Sequence, residues 1–124
     1  MKILIVSITV LSLFVLPQQS LALMKPLYMN GTDLQRFSEA DEKIVSGKID
    51  MENAADASQF MGYVIGIVDA SILLGALCPP QNATKGQLMA IVSKYIKNNP
   101  EKWNKAGADL VLDALTPVFP CKVK

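Results

Sequence analysis

The longest apolar run in this chain, residues 60–77, reads FMGYVIGIVDASILLGAL and has no polar side along its length. A helix that is apolar all round is either the buried centre of a bundle or a membrane span. The run is about as long as the shortest spans, and it carries Asp69 near its middle, a costly residue in hydrocarbon. Both features favour the buried centre. Gly62, Gly66 and Ala70 recur at four-residue spacing, which lets a second helix approach closely. The residues before the run are small and polar, and Asp50 is placed to cap them. The pattern therefore predicts one long helix over 51–77, partly solvated in its first third and buried in the rest. Cys78-Pro79-Pro80 ends it, because proline lacks the amide and clashes with the preceding turn.

Three shorter helices are written around it. Thr32 and Gln35 have capping-box spacing, and Asp33 suits the positive end of a helix dipole. They predict a helix over 33–46, with Leu34, Phe37, Ile44 and Val45 inward and Gly47 as its stop. Thr84 and Gln87 repeat the capping spacing. The helix they open has Leu88, Ile91, Val92, Tyr95 and Ile96 on one face and Lys94 and Lys97 on the other, a 3.6-residue period. Asn98, Asn99 and Pro100 close it, and a turn containing Trp103 follows. A last helix over 106–115 turns Leu110, Val111, Ala114 and Leu115 inward, and Pro117 and Pro120 end it. No segment reads as a strand. The expected fold is all-α: a small single-domain bundle of about four helices.

The first residues change the compartment. Lys2, an apolar stretch over 3–16, Pro17 and Ser20-Leu21-Ala22 have the layout of a secretory signal peptide cleaved after Ala22. An uncleaved anchor is the other reading. Residues 1–22 are thus a targeting segment, and 23–124 form one domain of about a hundred residues, enough for one modest core. Without Lys2, eleven basic residues face eleven acidic ones. This balance gives no support to nucleic-acid binding, which needs a basic surface. In an exported chain the two cysteines, Cys78 and Cys121, most simply form one disulfide; two free thiols are the alternative. The bridge would close a loop worth roughly 4 kcal/mol in chain entropy.

Candidate chemistry is sparse. The chain has no histidine, so the commonest general base and the commonest neutral metal ligand are missing. No carboxylate pair and no glycine-rich phosphate loop stands out. The expectation is a protein that is not an enzyme and needs neither metal nor cofactor. Asp69 reads as a buried structural acceptor of hydrogen bonds from the 84–87 turn or from Tyr63; a binding or proton-linked role is the alternative. Two loops read as binding elements. The first is Pro79, Pro80, Gln81, Asn82 and Ala83, stiffened by its prolines and tied by a disulfide at its base, so that little entropy is lost on docking; an ordinary connector between two helices is the other reading. The second holds Asn99, Pro100 and Trp103, since tryptophan is enriched where interfaces are strongest; Trp103 also reads as a core residue. Asn30-Gly31-Thr32 and Asn82-Ala83-Thr84 match the N-glycosylation pattern, but both threonines read as helix caps.

Four blocks stand in one order: Asn30-Gly31-Thr32-Asp33-Leu34; Gly62-Tyr63-Val64-Ile65-Gly66 with Asp69-Ala70; Cys78-x-Pro80 with Thr84-x-Gly86-Gln87-Leu88; and Ala108 to Leu115 ending in Phe119-Pro120-Cys121. Together, behind an export signal, they resemble the Rap/Tai family of immunity proteins, which protect bacteria against type VI secretion amidase effectors. The resemblance implies a helical periplasmic protein, often a homodimer. It implies a cognate peptidoglycan amidase as partner, blocked by a loop that enters its catalytic groove. Members often carry a further cysteine pair, one in the first helix and one before the glycine–tyrosine motif; here Phe37 stands in the first helix and Phe60 before the motif. The expectation is an effector-binding immunity protein. A periplasmic helical chaperone or small binding module is the alternative, and a protein inserted in the membrane through residues 60–77 is a second.

Overall fold

The computed structural model describes residues 28–122; the signal-peptide reading of 1–22 lies outside them. Four α-helices follow in order: α1 (Gly31–Val45), α2 (Met51–Leu73), α3 (Lys85–Asn98) and α4 (Gly107–Leu115), with a 3₁₀ turn at Pro100–Lys102 between the last two. Among the described residues there is no strand, only an isolated antiparallel bridge between Asn30 and Ala106. The all-α bundle with a single Cys78–Cys121 disulfide is as expected.

The start of α1 corrects the sequence reading. Its cap is Asn30, not Thr32: the Asn30 side chain accepts from the Asp33 amide at 3.0 Å, and the Asp33 carboxylate accepts from the Asn30 amide at 3.2 Å. The bridge to Ala106 holds Asn30 extended, so the helix begins two residues early and Thr32 falls inside it. Gly47, at φ +87°, lets the chain turn out of α1, a conformation that favours glycine. The last turn overreaches its neighbours: Ile44 is half-buried and Val45 is 81% exposed, where both were expected inward.

Asp50 caps α2 as expected, accepting from the Asn53 amide at 2.8 Å. Yet α2 stops at Leu73 rather than at 77, because Gly75 at φ +70° turns the chain before the prolines are reached. Leu77 is completely buried all the same. A larger correction concerns the apolar run. Only one stripe of α2 is buried: Ala57, Phe60, Val64, Val68 and Ser71. Gly62, Gly66, Asp69, Ala70 and Leu73 face outward, and a Cβ at Gly62 or Gly66 would meet nothing within 4 Å. The three shorter helices cover only one side of α2, too few to surround it. No helix among the described residues is long and apolar enough to cross a membrane.

The core is continuous. Leu34, Phe60, Val64, Leu77, Val92, Ile96, Leu110, Val111 and Leu115 lose all contact with solvent. Each such aliphatic or aromatic side chain stabilises the fold by about 1.5–3 kcal/mol. All four helices contribute, and Leu77 brings the α2–α3 connection into the same cluster.

Candidate functional site

The connection from α2 to α3 is fixed at both ends. At its start the Cys78 amide donates to the Phe119 carbonyl at 3.0 Å, and the Cys78–Cys121 disulfide joins the same two segments. At its end Thr84 and Gln87 form a reciprocal cap, the Thr84 amide donating to the Gln87 side chain at 2.9 Å and the Gln87 amide to the Thr84 hydroxyl at 3.2 Å. Between these anchors the Ala83 amide donates to the Pro80 carbonyl at 2.9 Å, which closes a tight turn. Pro80, Gln81 and Asn82 are exposed; Pro79 and Ala83 are half-buried. The first candidate loop is therefore a short, braced projection with a polar tip.

Clefts open on both sides of it. One, of about 400 Å³, runs from Pro80 and Asn82 to Gln87, Ile91 and Phe119. The other, of about 290 Å³, lies between the loop and α2 and is walled by Ile65, Ile72, Pro79 and Gln81, with Asp69 on the α2 side and Lys85 on the α3 side. Here Asp69 is exposed. It is not the buried acceptor read from the sequence, because the α2 face that carries it has no helix packed on it. Tyr63, the donor expected for it, instead lies against Gly107, its hydroxyl 3.1 Å from where a glycine Cβ would be. Burial raises the Tyr63 pKa, and the Asp109 charge adds to that against a lowering hydrogen bond with the Ala108 backbone.

The second candidate loop is drawn inward. Trp103 is half-buried against the core, its indole N–H donating to the Ile96 carbonyl at 2.9 Å. Its own carbonyl accepts from Thr32 at 3.1 Å, and the Asn99 side chain donates to the Tyr95 carbonyl at 2.7 Å. Of the three expected residues only Pro100 is exposed; Asn99 and Trp103 are half-buried. This segment joins the end of α3 to the start of α1. Beside it Lys102 donates to the Tyr95 hydroxyl at 2.8 Å, the main cause of its raised pKa.

Periodicity does not reveal a groove of about 620 Å³ between α1 and α3, because it is a gap between two elements. Asp41 and Val45 line one wall and Met89 and Lys94 the other. The Lys97–Glu42 ion pair, at 3.5 Å, spans the two helices. Burial, then the neighbouring Glu42 charge, raises the Asp41 pKa. Among the described residues no group of three or more cysteines and carboxylates could hold a metal ion. The surface offers shape and scattered polar groups for recognition.

No curated protein and no solved structure matches this chain. Residues 30–121 match the sequence model of the Rap1a immunity proteins. That segment takes in all four helices, the braced loop and both cysteines. The chain belongs to the Rap1a immunity protein family.

Proposed function

We propose that this Rap1a family member is exported to the periplasm, where it binds a type VI secretion peptidoglycan amidase and occludes its active site. Family membership supports a toxin effector as the partner. The observation that carries the occlusion reading is the braced loop of Pro79, Pro80, Gln81, Asn82 and Ala83. A disulfide and a backbone hydrogen bond hold its base, and its tip projects into solvent. A segment fixed before binding loses little conformational entropy on docking, so more of its contact energy becomes affinity. The disulfide suits an oxidising compartment. In this reading Pro80, Gln81 and Asn82 enter the catalytic groove, and Pro100 is a peripheral contact.

A homodimer belongs to the same proposal. Leu73 and Leu74 are 88% and 83% exposed at the end of α2 in the isolated chain, and adjacent leucines that open to water are commonly covered in an assembly. Light scattering of the purified chain gives the mass directly.

The test is inhibition. The mature chain is purified and added to each amidase encoded beside its gene, with release of peptidoglycan peptides as the readout. Stoichiometric loss of one amidase's activity at nanomolar concentration is the expected result. If every such amidase stays fully active, the proposal fails. The same exposed leucines would serve a small chaperone; acid-dependent suppression of aggregation of unrelated clients, without amidase inhibition, would favour that reading.

A further inference from the structure

The cleft between α2 and the braced loop has a property that the loop itself lacks. Ile65 and Ile72 stand on one wall and Pro79 and Gln81 on the other, with a carboxylate at one lip and the Lys85 amine at the other. That carboxylate, Asp69, is exposed, and none of the three ion pairs among the described residues involves it. In the free chain water solvates it at little cost.

Docking changes its surroundings. Pro79 and Gln81 belong both to the loop and to the cleft, so a partner seated on the loop covers the mouth of the cleft as well. A carboxylate covered without a counter-charge costs several kcal/mol. Lys85 shares the cleft but forms no ion pair with Asp69, so a positive group brought by the partner would offset that cost. The apolar surfaces of Ile65, Ile72 and Pro79 beside the Asp69 carboxylate fit a long aliphatic stem with a positive head, the shape of lysine or arginine.

We propose that the cleft receives a lysine or arginine side chain of the bound amidase, with its stem on Ile65, Ile72 and Pro79 and its head at Asp69. The inference rests on the reading of the loop as the docking element. Lys85, on the opposite lip, is the first residue of α3. Its charge and the positive end of the α3 dipole repel a cation from that side, which leaves the α2 side for the incoming head group. Lys85 is exposed, so its own side chain is free to swing into solvent.

The two lips make a signed test. Binding of the inhibited, purified amidase is measured by calorimetry for the wild type, Asp69→Asn, Asp69→Lys and Lys85→Glu, at low salt and at high salt. Affinity is expected to fall about tenfold for Asp69→Asn and about a hundredfold for Asp69→Lys, and to rise severalfold for Lys85→Glu. The differences should shrink at high salt, as charge interactions do. Both positions are exposed, so matching thermal melts are expected for all four chains. Unchanged affinity for Asp69→Lys overturns the inference. So does the reversed pattern, with Asp69→Lys tighter and Lys85→Glu weaker, which would assign the cleft to an acidic group. Loss of binding on changing Gln81 and Asn82, with Asp69→Lys unaffected, overturns the cleft and leaves the loop standing. A wild type that inhibits no amidase overturns the loop reading and the cleft with it.

Discussion

Gly31 and Trp103 meet with no room for a methyl group between them. A Cβ on Gly31 would lie 2.6 Å from the Trp103 Cα and 2.8 Å from its carbonyl oxygen. Around this contact the Gly31 amide donates to Lys105 at 3.0 Å and the Thr32 amide to Trp103 at 3.1 Å. The close approach lets the start of α1 lock onto the α3–α4 connection. Gly31→Ala should force backbone apart and lower stability by about 2 kcal/mol or more, within the range seen for overpacked sites. Urea unfolding checks it; a midpoint equal to the wild type would mean the two segments separate freely.

Ser38 and Ser93 share a buried hydrogen bond of 2.8 Å between α1 and α3. Replacing either serine alone by alanine leaves the other hydroxyl buried without this partner, at a cost of about 1–2 kcal/mol. The double variant should cost less than the two single losses added together. A double-mutant cycle in denaturant reads the difference.

Cys78 and Cys121 are 43 residues apart in sequence and 4.9 Å apart at their Cα atoms. Opening that bridge in a Cys78→Ser/Cys121→Ser chain should cost roughly 4 kcal/mol through the freed denatured chain. It should also weaken amidase inhibition at temperatures where the variant is still folded. There the 3.0 Å bond between Cys78 and Phe119 is the remaining tie at the base of the loop. Calorimetric unfolding and an inhibition assay on the same preparation separate the two effects.

Gln81 and Asn82 stand at the exposed tip of the loop. Their joint replacement by alanine should leave stability within about 0.5 kcal/mol, as for most surface changes. Inhibition should fall at least about tenfold if the tip enters the groove. Thermal melts and inhibition curves together test the claim, and unchanged inhibition would move the contact away from the tip.

Asp41 gives a pH dependence whose sign can be worked out. Burial and the Glu42 charge raise its folded-state pKa above the ordinary 3.8, so the folded chain holds a proton more tightly than the unfolded chain. At neutral pH both forms are ionised and the folded state bears the full penalty. The penalty is relieved as pH falls through the raised value. Asp41→Asn should therefore stabilise the fold at pH 7, by less than about 1 kcal/mol because the site is partly solvated, and raise the melting temperature accordingly. Its advantage over the wild type should vanish below pH 3.8. Melting curves across that range provide the check.

Much of the fold is legible in the residues because its signals are local. The Thr84–Gln87 cap, the Asp50 cap and the inward face of α4 rest on spacings of three and four residues, and the structure repeats them. On α3, Leu88, Val92 and Ile96 are buried as expected, Ile91 and Tyr95 only partly, and Met89 and Ser93 join the buried face. Where a distant segment takes part, the local signal misleads. Thr32 has the spacing of a cap, but a bridge to Ala106 moves the helix start to Asn30. Trp103 reads both as a docking anchor and as a core residue, and the contact with α1 goes with the core reading.

The sequence by itself determined the helical class, the four elements, the pairing of two cysteines and the family, since each depends on residue identity and short-range order. Only the tertiary structure decided which side of the apolar run is buried. A run that is apolar all round carries no preferred face, so the choice falls to the neighbours, and three short helices cover one side of α2. That outcome puts Asp69 in solvent beside the braced loop, where the sequence alone placed it in the core.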